Sequence, residues 1–202
     1  IYRASQRGDD RTVKSLQRLL SKSWSARMLA VRRVTQENKG KKTAGVDGIA
    51  SLKAPERTEL AKNLTLDKTA EPVRRVLIPK PGKSEYRKLG IPTMRDRAKQ
   101  ALAKLALEPQ WEALFAPNSY GFRPGRSPQD ALEQVHRCIC QKPKWVLDAD
   151  IAACFDKIAH GPLVARLSQS HPSIARQCKA WLKAGVLDNG QIQLTQRGTP
   201  QG

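Results

Sequence analysis

The sequence predicts an α+β protein: a basic helical head, a small basic hairpin, and then a strand that begins a second sheet. Apolar side chains keep a helical spacing through residues 9–38 and again after Thr93 and Ser127. Residues 73–79 and 87–92 instead have the composition of two strands, which flank a Pro-Gly-Lys-Ser turn. Helices thus dominate the chain and the strands occupy separate stretches, which is typical of the α+β class.

The head, residues 1–42, combines the helical pattern with one-sided charge. A Ser-rich break near residues 21–25 interrupts the helix, and the apolar spacing resumes at Trp24. The head holds 12 Lys and Arg side chains against 3 Asp and Glu; the whole chain has 37 against 18, a net charge of +19. Like charges at this density repel one another, so we expect a phosphate backbone to lie against this surface.

The middle of the chain predicts a loop, two helices and the hairpin with its basic tip. A Gly- and Lys-rich loop spans residues 39–48, and a short helix is indicated at 55–64. Thr93 is placed to cap a longer helix whose apolar positions run to Ala106. We expect this helix to end before Pro109, because proline cannot donate the backbone hydrogen bond of a helix interior.

The last third begins with a helix that starts at Ser127 and Pro128, since Ser is a favoured cap and Pro a favoured first residue. Its apolar stripe runs from Ala131 to Ile139. Three further elements are predicted after it: helices at 161–169 and 172–184, and a strand at 191–195 that follows an Asp-Asn-Gly turn.

Residues 145–151 (WVLDADI) carry the most chemical information. The segment is apolar except for Asp148 and Asp150, and it predicts a strand with both carboxylates on one face. Mg²⁺ prefers such hard oxygen ligands, and pairs of Mg²⁺ ions serve in-line phosphoryl transfer. A D-x-D pair alone is a weak sign, because strand ends carry acidic residues for many reasons.

Composition argues against a membrane span and against a disulfide or zinc framework. No run approaches the roughly 18 apolar residues of a spanning helix, so we expect a cytoplasmic protein without a membrane partner. The single Cys-x-Cys lacks the second pair of a zinc site. We expect reduced, mostly buried thiols at all four cysteines: Cys138, Cys140, Cys154 and Cys178.

Several segments, in order along the chain, together resemble the reverse transcriptases of group II introns. The runs SYGFRPGRS and DIAACFD are the most specific of them. The resemblance covers roughly residues 25 to 202. The matching segments are 44–48, 74–81 with 87–92, 96–100 leading to 107–109, 119–127, 150–156 and the closing 197–202.

The resemblance implies a right-hand polymerase fold in three parts. Residues 1–48 correspond to a basic helical N-terminal extension, residues 49–142 to the fingers, and residues 143–202 to the first part of the palm. The sequence stops before the family's second catalytic motif, Tyr/Phe-x-Asp-Asp, and no such tetrapeptide occurs in it. We therefore expect these 202 residues to be inactive as a polymerase by themselves.

The resemblance also implies an active site whose first part lies in this chain. Asp150 corresponds to the first metal-binding aspartate of the palm, with the Ile151 carbonyl as a backbone ligand of a two-ion Mg²⁺ site. Phe155 corresponds to the aromatic residue under the incoming sugar, which disfavours a ribose 2′-hydroxyl; its alternative role is in the core. Gln201 corresponds to the residue beside the incoming nucleotide. Asp148 is expected to be structural.

The fingers hairpin supplies the basic side chains of the nucleotide site in the same comparison. Lys80 and Arg87 correspond to the pair that holds the triphosphate, and Arg74 to a nearby contact; each has a solvated charge as its alternative. The loop from Pro81 to Tyr86 is about one residue longer than the common family form. Asp156 corresponds to an aspartate at the start of a helix, which is expected to cap that helix or to orient its neighbours and not to bind metal.

RNA contacts are implied for two regions. Arg123 and Arg126 lie in the SYGFRPGRS loop and reach either template phosphates or internal acidic groups. In the head, the expected contacts with template and structured intron RNA are Arg27, Arg32, Arg33, Lys39, Lys41 and Lys42.

The function implied is an RNA-directed DNA polymerase of a group II intron, which also binds intron RNA for splicing and retrohoming. Its partners are intron RNA, an RNA template with a DNA primer, target DNA and deoxynucleoside triphosphates. Three alternatives remain: a splicing maturase to which polymerisation is lost or incidental, a reverse transcriptase of a CRISPR adaptation system, and a basic structural RNA-binding protein. Asp150, Phe155 and Gln201 have no purpose in pure binding, which favours the polymerase.

Overall fold

A computed structural model of the chain describes residues 1–82 and 84–199. Helices make up about half of the described part, with short strands after the fourth and ninth helices. The helices are α1 (Tyr2–Gln6), α2 (Asp10–Lys22), α3 (Trp24–Arg32), α4 (Ala54–Lys62), α5 (Met94–Glu112), α6 (Pro128–Ile139), α7 (Cys154–Lys157), α8 (His160–Ser170) and α9 (Pro172–Lys183). The strands are β1 (Val73–Pro79), β2 (Tyr86–Ile91), β3 (Val186–Asp188) and β4 (Gln191–Gln193).

The four strands form one sheet in the order β2-β1-β3-β4. The predicted hairpin is confirmed as the antiparallel pair β1 and β2, and the predicted strand at 191–195 is confirmed as β4. β3 runs parallel to β1 through the pairing of Val73 with Val186, and it forms its own hairpin with β4. Asn189 and Gly190 both have positive φ, as the turn of a tight hairpin requires. The C-terminal hairpin therefore extends the sheet of the first hairpin.

The second sheet predicted to begin at residues 145–151 is wrong for this structure. The segment has no assigned secondary structure and is exposed along its whole length. A strand requires a neighbour for its backbone N–H and C=O groups, and β1 to β4 pair only with one another. Because no described strand pairs with residues 145–151, the segment is irregular and exposed despite its strand-like sequence.

The helical head is confirmed, with its break at Ser23. The side chain of Asp9 accepts a hydrogen bond from the Thr12 N–H at 3.0 Å and so caps α2. α3 follows Ser23 directly and ends in a π-helical turn, Arg33–Glu37. α4, α8 and α9 are confirmed within one or two residues of their predicted bounds.

α5 is the central helix, and it runs further than predicted. Thr93 caps it by accepting the Asp96 N–H at 3.2 Å, as expected. The expected end before Pro109 is wrong, since the helix continues to Glu112. Proline removes one hydrogen bond of the helix, but side chains of the head hold the last turn in place. Gln17 donates to the Gln110 side chain at 2.7 Å, and Ser5 donates to the Gln110 carbonyl at 3.2 Å.

The main hydrophobic core lies where α3, the π-helical turn and α4 meet α5. Burying such side chains stabilises the fold by roughly 25 cal/mol per Å² of apolar surface. We refer to α2–α5 with this core as the helical core. Its buried side chains are Ala26, Ala30, Val31, Val34, Ala61, Leu64, Met94, Ala98, Ala101 and Leu102.

A buried ion-pair network joins α5 to the loop before β1. Lys99 is 1% exposed, and its Nζ lies 2.7 Å from the Asp67 carboxylate and 3.9 Å from that of Asp96. Partial burial opposes the charge on Asp67, but hydrogen bonds from Lys99 and Thr69 hold its pKa well below the usual range. Trp181 of α9 donates its indole N–H to Asp96 at 3.1 Å. The network therefore connects α5, the loop before β1 and α9 through Lys99 and Asp96.

α6 begins as predicted but buries nothing. Ser127 and Asp130 form a reciprocal capping box. The predicted apolar stripe is on the surface, since Leu132 is 68% and Val135 54% exposed.

The cysteines are free, but the expectation that most are buried is wrong. Cys138 and Cys140 are exposed because they lie at the end of α6, which buries none of its residues; Cys154 and Cys178 are half-buried. Burial raises the pKa of the Cys178 thiol to about 11. No helix within residues 1–82 and 84–199 has the length and hydropathy needed to cross a membrane.

Candidate functional site

A cavity of about 630 Å³ lies between the β1–β2 hairpin and residues 195–199. Trp181 and the backbone of Gly185 line its base. Its described lining includes one carboxylate, Asp156, and several basic side chains, so the cavity favours an anion. The basic residues are Arg75, Lys80, Arg87, Lys88 and Arg197.

Lys80 and Arg87, the predicted phosphate-binding pair, both line this cavity. The Lys80 ammonium lies 2.6 Å from the Glu85 carboxylate. The hydrogen bond from Lys80 lowers the pKa of Glu85, so this acid is ionised at neutral pH. An anion that binds Lys80 must therefore compete with an exposed, solvated partner, which costs little.

Three cavity cations, Arg75, Lys88 and Arg197, were missed in the sequence. Strand alternation was the signal for Arg75, because it shares a face of β1 with Val73, and both line the cavity. Arg75 also lies 3.7 Å from the Asp188 carboxylate at the C-terminal hairpin. Arg197 enters the cavity only because residues 195–199 fold back onto it, which no local pattern indicates.

Arg74 lies on the opposite face of β1 and is not among the described residues that line the cavity. Its guanidinium donates twice to the Ala44 carbonyl, at 3.0 and 2.8 Å. The backbone of Gly45 packs so closely that an added Cβ would lie 2.6 Å from the Thr93 Cα. Arg74 thus ties the Gly-rich loop to β1, and its nucleotide contact stays a prediction.

Residues 155–160 and 197–199 are joined beside the cavity, and we call this pair of segments the clamp. The Phe155 carbonyl accepts the Thr199 N–H at 2.8 Å, while Phe155 as a whole is 48% exposed. Asp156 and Thr199 line the cavity; Phe155 is not among the described lining residues. Gln201, the predicted nucleotide neighbour, lies outside the described residues.

The predicted metal ligands lie apart from the cavity. Asp150 and Ile151 are exposed, and Asp150 accepts the Ile151 N–H at 2.8 Å. Asp148 is exposed on the same irregular segment. Among the described residues, no group of three or more His, Cys, Asp or Glu is placed to hold a metal ion. A carboxylate and a carbonyl oxygen suit Mg²⁺ chemically, but they supply only part of a coordination shell.

The two arginines of the SYGFRPGRS loop differ in their contacts. Arg123 is buried, with several donors directed at the Glu112 carboxylate and others at the carbonyls of Ala116 and Ser119. These are the internal contacts that stood as the alternative to template binding. Arg126 is exposed, and its guanidinium stacks 5.4 Å from the centroid of the Tyr120 ring. Arg126 therefore stays accessible to a phosphate.

The basic residues of the head have few acidic partners among the described contacts. Arg32 pairs with Glu37 at 2.9 Å, and Arg27 and Lys41 donate to backbone carbonyls. Arg33 is half-buried, whereas Arg32, Lys39 and Lys42 are exposed. Beside them an apolar groove of about 580 Å³ is lined by exposed Trp24, Met28 and Leu29. Cations beside an exposed aromatic side chain suit a nucleic acid surface.

Two family models match the chain. The model described as the N-terminal domain of reverse transcriptase matches residues 1–64. The model described as reverse transcriptase (RNA-dependent DNA polymerase) matches residues 78–202, which is more than half of the chain.

The chain is also similar to several curated proteins, among them proteins of group II introns. Protein YkfC of Escherichia coli is 34% identical over 200 residues, which cover 93% of this chain and 52% of that protein. The group II intron-encoded protein LtrA of Lactococcus lactis is 36% identical over 172 residues, covering 82% and 28%. Maturase-like protein 1 of Euglena gracilis is 37% identical over 127 residues, covering 61% and 27%. The chain thus spans about half of the first relative and about a quarter of the other two.

Proposed function

The chain belongs to the reverse transcriptase family, and we propose that it forms the nucleotide-binding and RNA-binding part of an RNA-directed DNA polymerase encoded by a group II intron. One observation carries the proposal. The hairpin with Lys80 and Arg87 and the stretch with Arg197 and Thr199 are distant in sequence, yet they line one basic cavity. The resemblance assigned Lys80 and Arg87 to nucleotide binding from the sequence alone, and it gave the same role to Gln201, two residues after Thr199.

A deoxynucleoside triphosphate is the ligand that suits this cavity. Its phosphates carry several negative charges, and the lining offers an excess of Lys and Arg. Lys80 is proposed to exchange its contact with Glu85 for a phosphate oxygen, while Arg87 binds a second oxygen. Basic groups at these oxygens neutralise charge that develops in the transition state, so they affect rate as well as binding.

The palm residues are proposed to act on the nucleotide that this cavity binds, and Asp150 and Ile151 lie apart from the cavity in this structure. Asp150, with the Ile151 carbonyl, would hold Mg²⁺, which supplies charge neutralisation and activates the primer hydroxyl when bound. Phe155 is proposed to lie under the incoming sugar, and Gln201 beside the nucleotide. We keep the division into an extension (1–48), fingers (49–142) and a partial palm (143–202) as part of the proposal.

A binding role as a splicing maturase is the second candidate. The net charge of the head and the similarity to a protein named as maturase-like favour it. Both roles need the head to bind RNA, mainly through phosphates. If it does, the logarithm of the RNA association constant will fall with the logarithm of the salt concentration by about 0.7 to 0.9 per phosphate contact.

Primer extension tests the polymerase directly. The full-length protein that carries this sequence is assayed with RNA template, DNA primer, Mg²⁺ and deoxynucleotides, beside its Asp150→Ala variant. We expect the substitution to lower the rate by about a thousandfold while RNA binding stays intact. Asp148→Ala, two residues away on the same exposed segment, is the matched control and should keep most of the activity.

Two outcomes decide between the candidates. An inactive parent that still binds intron RNA tightly would move the assignment to the maturase. The 202-residue chain alone should bind deoxynucleotide and RNA without extending a primer, because the Tyr/Phe-x-Asp-Asp tetrapeptide is absent from it. Templated extension by the 202 residues would contradict this part of the proposal.

A further inference from the structure

The clamp joins two segments that are about 40 residues apart in sequence. The Gly198 N–H donates to the Ile158 carbonyl at 2.9 Å, and the Thr199 N–H donates to the Phe155 carbonyl at 2.8 Å. Ala159 and Arg197 form an isolated antiparallel bridge next to the bond between Ile158 and Gly198. The backbone of residues 197–199 is thus fixed against the short helix α7 and the residues that follow it.

One side chain completes the clamp. His160, the first residue of α8, places its Nε2 2.6 Å from the Gly198 carbonyl oxygen. A carbonyl only accepts, so the imidazole must carry its proton on Nε2 and donate it. Gly198 is therefore held on both sides, through its N–H by the Ile158 carbonyl and through its C=O by His160.

Gly198 lets the two backbones approach closely. Its φ is +84°, and a Cβ at this position would lie 2.9 Å from the Asp156 carbonyl oxygen and 3.0 Å from that of Phe155. Both the positive φ and the short distances exclude an ordinary side chain without local movement. The close approach is thus a property of this glycine, and it is independent of His160.

The clamp borders the basic cavity. Asp156, Arg197 and Thr199 line the cavity from the clamp, across from Lys80 and Arg87 on the hairpin. We therefore expect a change in the clamp to alter the width of the cavity and the position of Phe155 relative to it. The hairpin side has its own support from the sheet, so the clamp controls only one wall.

We propose that His160 is a positioning residue that holds residues 197–199 against Phe155 and Asp156, and so fixes both the cavity wall opposite Lys80 and Arg87 and the sugar preference. This inference rests on the proposed function for its nucleotide. The hydrogen bond itself does not, because it is a contact within the chain. His160 touches no reacting atom in this scheme; it acts through Gly198.

Amide hydrogen exchange tests the clamp in the 202-residue chain. In the unsubstituted chain the amides of Gly198 and Thr199 should exchange slowly, because both are hydrogen-bonded. His160→Ala should speed both by about three- to tenfold, the effect of one neutral hydrogen bond. His160→Gln keeps an N–H donor and should restore part of the protection. His136→Ala, on the exposed helix α6, is the matched control and should change neither amide.

Steady-state kinetics test the positioning role in the full-length protein. His160→Ala should raise the KM for deoxynucleotides by about three- to tenfold and change kcat less, because a binding wall is loosened while the metal ligands are untouched. The preference for deoxynucleotides over ribonucleotides should fall by a similar factor. Gly198→Ala should reproduce the loss of preference by forcing the two backbones apart.

The outcomes separate the two proposals. Unchanged exchange at Gly198 and Thr199 in His160→Ala would overturn the clamp, whatever the activity. Faster exchange with an unchanged KM and sugar preference would overturn the positioning role and leave a purely structural contact. A parent protein that neither binds nor incorporates nucleotides would refute the proposed function, and with it the role in sugar preference. The exchange result would still decide whether His160 holds the clamp.

Discussion

The helical core and residues 113–158 have similar sequence patterns but differ in how much of their apolar surface is buried. Both contain amphipathic helices with good caps, and Thr93 and Ser127 cap α5 and α6 in the same way. Yet α5 buries nearly half of its residues, whereas α6 buries none. An amphipathic pattern therefore fixes the secondary structure locally, while burial depends on whether another element covers the apolar face.

The candidate functional residues are likewise divided between packed and exposed parts of the chain. The basic cavity is built on the sheet, which the buried network anchors through Trp181 and Asp96. Asp150 and Ile151, the proposed metal ligands, lie on the exposed segment. The geometry of the proposed nucleotide site is set by packed elements of this chain, whereas no described secondary-structure element holds the proposed metal ligands in place.

The largest expected effect is in the buried network. Lys99→Met keeps much of the side-chain volume but leaves the carboxylates of Asp67 and Asp96 without their common cation. We expect a loss of about 3–5 kcal/mol in the free energy of unfolding, measured by urea denaturation, because the buried Asp96 carboxylate is left without a cation while Asp67 keeps Arg95 at 2.9 Å.

Lys104→Met, on the same helix, is the control for that experiment. Lys104 is exposed and pairs with Glu108 at 3.2 Å, one turn away. Exposed pairs of this kind contribute less than about 1 kcal/mol. Similar losses for the two variants would show that the network does not hold α5 in place, and the contrast between buried and exposed parts would lose its energetic basis.

A matched pair of leucines tests the comparison itself. Leu102 in the helical core is 0% exposed, and Leu132 on the stripe of α6 is 68% exposed. Leu102→Ala should cost about 2–5 kcal/mol in the free energy of unfolding, since it leaves a cavity. Leu132→Ala should stay within about 0.5 kcal/mol. A large loss for Leu132→Ala would mean that α6 is covered in solution, and the two regions would then be alike.

The sequence predicted the elements well wherever a local signal defines them. The caps at Thr93 and Ser127 and the hairpin at β1 and β2 have short-range signatures, and all three are present. The failures at Pro109 and at residues 145–151 share a cause, because distant residues decide each. Gln17 supports the helix past Pro109, and no described strand pairs with 145–151.

The candidate site was predictable to a similar extent. The resemblance identified Lys80 and Arg87, because both lie in the sequence segments that form the hairpin and carry the resemblance. The contribution of Arg197 depends on the clamp, which joins segments about 40 residues apart and has no local signature. Arg74 and Arg75 are adjacent in sequence and lie on opposite faces of β1. Alternation predicts that their roles differ, but it does not predict which of the two lines the cavity. The structure shows that Arg75 lines the cavity and that Arg74 binds the Gly-rich loop.

The smallest expected effect concerns His171, which caps α9 at the edge of the packed region. It is 6% exposed, and its Nδ1 accepts the Ile174 N–H at 3.2 Å. Burial lowers the pKa of His171 below its ordinary value of 6.5, and the nearby Arg18 adds to the effect. The folded protein therefore keeps a neutral ring at pH values where the unfolded chain already binds a proton. Its contribution to stability is complete above about pH 6.5 and is lost as the pH falls below that value.

Thermal unfolding between pH 7.5 and 5.5 measures this contribution. The substitution His171→Asn keeps a favoured helix cap but removes the titrating group. We expect Tm of the unsubstituted chain to fall more steeply with decreasing pH than that of the variant, because only the former must exclude a proton from a buried site. Identical pH dependence in the two proteins would mean that His171 is hydrated in solution. The start of α9 would then be hydrated, and the packed region would begin further along α9, closer to the buried network of Lys99.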